Sequence, residues 1–140
     1  MEKYDLFVTV GEYDFDIVKY SINFNRDKLV GLDKVYIFNE NKNFNLKNVI
    51  DVDESFFPFT KDLIIKKTGM EKRSGWIYGK MCNLYFSYLQ KDKKYVLTID
   101  SDVFFNKKIN FFDESKPIFT TSGEYHEPYF PLFKNSVGPF

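Results

Sequence analysis

Paired carboxylates are the residues in this chain whose types and spacing could do chemistry. Asp-x-Asp occurs three times, as Asp14–Asp16, Asp51–Asp53 and Asp100–Asp102. Two carboxylates one residue apart, freed from strand pairing, can share a hard divalent cation, which then neutralises the phosphates of a nucleoside diphosphate leaving group. The first pair precedes an apolar periodic stretch and reads as negative charge at a helix N-terminus. The second follows a short strand and reads as a solvated strand end. The third, Asp100-Ser101-Asp102, has apolar sequence on both sides, YVLTI before it and VFF after it. Those flanks set it at the edge of a sheet beside buried structure, and open α/β sheets bind ligands outside the carboxyl ends of their strands. Alone, the motif is short and of low specificity. An intact pair of adjacent, desolvated carboxylates nevertheless argues for a working site, because burying such charges has no structural benefit.

Other reactive side chains offer less. Cys82 is the single cysteine and His126 the single histidine, so neither an internal disulfide nor a histidine-based zinc site can form. Cys82 lies in a helical stretch and reads as a buried thiol. Glu124 and Glu127 are candidates for a general base toward an acceptor hydroxyl, with nothing in their spacing to choose between them. No phosphate-cradling G-x-x-x-x-G-K-[ST] and no G-x-G-x-x-G is present.

The elements that must position these residues follow from local pattern. Tyr4–Val10 (YDLFVTV) reads as a first strand ending at Gly11. From Tyr13 to Asn25, Phe15, Ile17, Val18, Ile22 and Phe24 fit one face of a helix. Lys34–Asn39 and Lys47–Val52 read as two more strands. Glu54–Phe59 reads as an extended or turn segment around its proline, Phe59–Thr68 as a short helix, and Met70–Gly75 as a loop. Trp76–Gln90 is the strongest helix, with an expected apolar face of Ile77, Met81, Leu84, Tyr85, Tyr88 and Leu89. Trp76 itself is more often a core residue than a sugar platform. Tyr95–Ile99 has the continuous apolar character of a strand buried in a parallel sheet, and Pro117–Thr121 reads as a last strand. Strand, helix, strand, strand is the opening order of an α/β nucleotide-binding fold.

Composition narrows the classes. With 140 residues, 44% hydrophobic and 29% charged, the chain suits one domain with its own core. Its 20 basic and 20 acidic residues are interspersed, which argues against a nucleic-acid partner. The 17 Phe and 10 Tyr are expected to fill the core before anything else. No apolar run is long enough for a transmembrane segment, and no basic-plus-apolar leader is present, so the expected location is cytoplasmic.

Several blocks occur together and in order: DLFVTVGEYD (5–14), DESFFPF (53–59), SGW (74–76), VLTIDSDVFF (96–105) and SGEYHEPYF (122–130). In this combination, from residue 4 to about residue 130, the chain resembles the N-terminal, donor-binding part of a family of GT-A-like, Asp-x-Asp-containing glycosyltransferases. The resemblance implies one α/β domain over 1–140 with the GT-A fold, a Rossmann-like mixed sheet flanked by helices, truncated on its C-terminal side. It implies metal-dependent transfer from a UDP- or GDP-sugar to a hydroxyl of a glycan, lipid or protein acceptor, with Mn2+ or Mg2+ as cofactor. Carried over, Asp102 would ligate the cation, and Asp100 would bind the ribose or assist the metal through water, with Ser101 between them at the donor. Thr9, Val10, Gly11 and Glu12 would lie near the base. Trp76 would begin the helix behind the donor pocket, Lys80 would contact the donor from it, and Tyr125 and His126 would sit on the acceptor side, with His126 a further metal candidate. Relatives carry a W-x-x-Q-Q-x-x-K-like helix, where this chain has Ile77-Tyr78-Gly79-Lys80-Met81-Cys82-Asn83. They also carry a further C-terminal region for the acceptor, so the expectation is that this half is either missing here or supplied by another polypeptide. The alternative expectation is a non-catalytic module that holds a nucleotide sugar or a partner chain. A magnesium-dependent phosphotransfer enzyme is a third, without a companion motif.

Overall fold

The computed structural model describes residues 2–90 and 95–119. Its centre is a four-stranded sheet in the order β4-β3-β1-β5, formed by β1 (Tyr4–Thr9), β3 (Leu32–Phe38), β4 (Ile50–Asp51) and β5 (Val96–Asp100). All its neighbours run parallel. Two short pairs lie outside it: β2 (Leu29–Val30) runs parallel to β6 (Ile109–Asn110), and β7 (Phe112–Asp113) antiparallel to β8 (Lys116–Pro117). Among the described residues there are three α-helices, α1 (Val18–Asn25), α2 (Lys61–Thr68) and α3 (Ser74–Leu89).

The strand period of two divides the core into two halves. Leu6 and Val8 of β1 and Val35 and Ile37 of β3 pack with Val18 and Ile22 of α1. Phe7 and Phe38, facing the other way, pack with Ile64 of α2 and with Tyr78, Cys82 and Phe86 of α3. The sheet therefore carries helices on both faces, as a parallel sheet requires. Phe7 and Phe86 stack almost face to face, ring centres 4.0 Å apart and planes 5° from parallel.

The helices α1 and α3 differ from the expected pattern. The chain after β1 first makes a single 3-10 turn, Glu12–Asp14, and α1 begins only at Val18. Its buried stripe is Val18, Ser21, Ile22 and Asn25, while Ile17 and Phe24 are exposed. Asp14 and Asp16 consequently do not cap it. In α3 the buried row is Ser74, Tyr78, Cys82, Asn83 and Phe86, whereas Leu84 is 74% and Tyr88 80% exposed. The helix docks through the row that carries small residues, because that row lets its backbone approach β1. At Gly79 an added Cβ would lie 3.4 Å from the Thr9 hydroxyl oxygen. Met70–Gly75 is not a plain loop: it holds a 3-10 turn, Glu71–Arg73, and the first residues of α3. β5 is an edge strand of the described sheet and only half-buried, not enclosed on both sides. Pro117 ends β8 instead of beginning a strand.

Burial has a consequence at alkaline pH. Desolvation pushes the Cys82 thiol from 9.0 to about 12, outweighing the hydroxyl of Tyr78 beside it. Desolvation also pushes the Tyr4 hydroxyl from 10.0 to about 12. In both groups the folded value lies above the unfolded one, so the unfolded chain releases its protons first as pH rises. Their stabilisation is complete below pH 9 and is lost between about 9 and 12. Urea midpoints are expected to fall across that window, and Cys82→Ala should flatten the first part of the fall.

Candidate functional site

The site begins with strand order. From β1 the chain moves to β3 and β4 on one side, then returns to place β5 on the other. A reversal of this kind opens a crevice at the carboxyl ends of the two strands, the usual ligand position in open α/β sheets. Register completes the placement, since Thr9 is the partner of Asp100. Gly11–Asp14 and Ser101-Asp102 therefore leave the sheet side by side.

Thr9, Gly11, Asp14, Trp76, Lys80 and the Asp100–Asp102 segment line one cleft there. It shares Thr9, Gly11, Gly75, Trp76 and Gly79 with a neighbouring cavity of about 340 Å³ that reaches Glu12, Asn39, Glu40 and Lys61. Trp76, expected in the core, is 65% exposed and forms a wall common to both. Glu12 reaches the cavity from an exposed position, while the Val10 side chain is buried. Val10 is tied down through its backbone: its N–H donates to the Phe38 carbonyl at 2.9 Å, and its carbonyl accepts from Asn39 Nδ2 at 2.8 Å.

The three residues of the motif are placed differently from one another. Asp100 and Asp102 are exposed, which corrects the expectation of two desolvated carboxylates. Binding of a hydrated cation by a carboxylate needs no burial. Asp100 Oδ1 pairs with Lys80 Nζ at 3.2 Å. Ser101 is the buried member, and its hydroxyl donates to Asp14 Oδ2 at 2.5 Å. A charge-assisted bond of that length is strong, and it links the loop after β1 to the loop after β5.

The competing pair, Asp51–Asp53, serves the backbone. Asp51 accepts from the Phe44 and Asn45 amides at 2.8 and 2.9 Å. Asp53 caps the 3-10 turn Glu54–Phe56, accepting from the Ser55 amide at 2.8 Å. Hydrogen bonds from Ser55 hold its carboxyl below the usual range.

Sequence reasoning missed Asp14, read as helix charge, because its partner lies 87 residues away. It also missed Asn39, Glu40 and Lys61. Glu40 and Lys61 form an ion pair at 3.1 Å on the far side of the cavity. The available signal was Asn39 itself, which follows the strand adjacent to β1 and so must enter the same crevice. Glu124, Tyr125, His126 and Glu127 lie outside the described residues.

Among the described residues, no three His, Cys, Asp or Glu side chains come together to hold a metal ion. The donor set that the cleft offers is the carboxylates of Asp100 and Asp102, with Asp14 beside them engaged by Ser101. It fits a cation of the Mg2+ or Mn2+ type, which is commonly held by one or two carboxylates with water and substrate phosphates completing the shell. No helix among the described residues is long and apolar enough to cross a membrane. In comparisons with known proteins, no family model, curated protein or solved structure matches the chain.

Proposed function

We propose that this domain binds a nucleotide sugar with a divalent cation and transfers the sugar to an acceptor hydroxyl, as a GT-A-type glycosyltransferase does. The observation that carries the reading is the pairing of Thr9 with Asp100. It brings a carboxylate pair, a lysine and an exposed indole to one cleft at the strand-order reversal. The motif blocks in the sequence support the same reading.

In this reading Asp102 and Asp100 hold Mn2+ or Mg2+, which supplies positive charge against the leaving diphosphate when bound. Lys80, half-exposed and paired to Asp100, is free to turn its ammonium toward a phosphate oxygen once the donor enters. The Trp76 ring presents a flat apolar face to a base or a sugar. Thr9 and Gly11 border the donor's path between the two cavities. The acceptor oxygen then bonds to the anomeric carbon as the bond to the nucleoside diphosphate breaks, and the hydroxyl proton passes to solvent.

Thermal unfolding of the chain with UDP, GDP and their sugars, each with and without Mn2+, tests this. A ligand at about 100 times its dissociation constant stabilises the folded state by about 2.7 kcal/mol, a rise of several degrees in midpoint. A rise with one nucleotide series that requires metal is the expected result. Unchanged midpoints with all of them would refute the proposal.

A further inference from the structure

The segment that follows the carboxylate pair has an unusual anchor. α1 buries Ser21 and Asn25 completely, at 1% and 0% exposure, alternating with Val18 and Ile22. Helix packing on a sheet needs no polar side chain there, and an unbonded one would be destabilising. Both are fully used. Ser21 Oγ and Asn25 Nδ2 each donate to the Val103 carbonyl at 2.7 Å. Asn25 Oδ1 accepts from the Phe105 amide at 2.8 Å. The Asn25 side-chain amide thus pairs with residues 103 and 105 in the way a neighbouring strand would. This pairing begins one residue after Asp102.

We propose that Asn25, with Ser21, is a positioning residue for Asp102. By clamping Val103 and Phe105 from the buried side, it sets where the Asp102 carboxylate stands in the cleft. Asp14 fixes the same loop from its other end through Ser101. Asn25 touches neither donor nor cation, and its effect passes through the backbone of residues 103–105. The inference rests on the metal and diphosphate reading of the cleft.

The test compares wild type with Asn25→Leu, which keeps the branched shape of the side chain and loses its hydrogen bonds to Val103, Phe105 and Ser21. Two affinities are measured by titration with UDP and with GDP, one with Mn2+ and one without metal. Circular dichroism and amide hydrogen exchange accompany them. The expected result is a cooperatively folded variant with faster exchange at residues 103–105. Its metal-dependent affinity should fall by about 10- to 100-fold, the range for supporting residues of metal sites, while its metal-free affinity stays within about threefold. A folded variant with wild-type metal-dependent affinity overturns the inference and leaves the function proposal standing. Equal loss with and without metal also overturns it, since that marks general damage to the cleft. A wild-type chain that binds neither nucleotide with Mn2+ overturns both. If Asn25→Leu does not fold, Ser21→Ala decides by the same readouts: a fall of at least about threefold in metal-dependent affinity alone supports the clamp, and an unchanged affinity overturns it.

Discussion

Asp102→Ala is expected to weaken metal-dependent nucleotide binding by at least about a hundredfold while leaving the fold intact. The carboxylate is exposed, so its removal opens no cavity, and surface changes of that kind alter stability by about 0.5 kcal/mol or less. The ligand titration with and without Mn2+ checks the first part, and the thermal midpoint of the free protein checks the second. Asp53→Ala is the informative control. Its carboxylate caps a turn through the Ser55 amide, away from the cleft, so metal-dependent binding should change by no more than about twofold. Comparable losses in the two variants would show that the Asp100–Asp102 pair is not the metal site.

Phe7→Ala should have the largest effect on stability, about 3–5 kcal/mol in urea denaturation followed by circular dichroism. Phe7 is fully buried at the centre of the middle strand pair, stacked on Phe86 and 6.4 Å from the Phe57 ring. Its loss leaves a void between sheet and α3 that neither rigid partner can close. Since domains of this size are stable by about 5–15 kcal/mol, the variant would be marginal at best. Leu84→Ala on the same helix removes a side chain that is 74% exposed and should change stability by about 0.5 kcal/mol or less. A near-neutral Leu84→Ala would show that its row of α3 faces away from the sheet.

That row is also where reading the sequence fell short. β1, β3 and β5 were legible because alternation and β-branched runs depend on neighbours within a few residues. The position of Asp100–Asp102 at a strand end was legible for the same reason. In α3, Leu84 and Tyr88 outweigh Ser74 and Cys82 in hydropathy, so periodicity pointed to a face of which Ile77 and Tyr85 pack against the core while Met81, Leu84 and Tyr88 are exposed. What decided the face was the closeness of approach at Gly79 and Thr9, a property of two elements together. Asp14 was illegible on similar grounds. Its role depends on Ser101, and only the completed sheet brings the two within reach. Residue type alone favours the core for Trp76 and the resemblance favours the donor side; in the first turn of α3 it lines the cleft.

The central position of β1 governs the order in which the chain can mature during synthesis. One edge of β1 finds β3 after some thirty residues, but its other edge waits for β5, roughly ninety residues downstream. A nascent chain that has not yet released residues 96–100 from the ribosome therefore carries β1 with one side unpaired. Asp14 waits with it, because Ser101 emerges only behind that last strand. The cleft therefore takes shape only after β5 has joined the sheet and set the Ser101-Asp102 loop beside Gly11–Asp14.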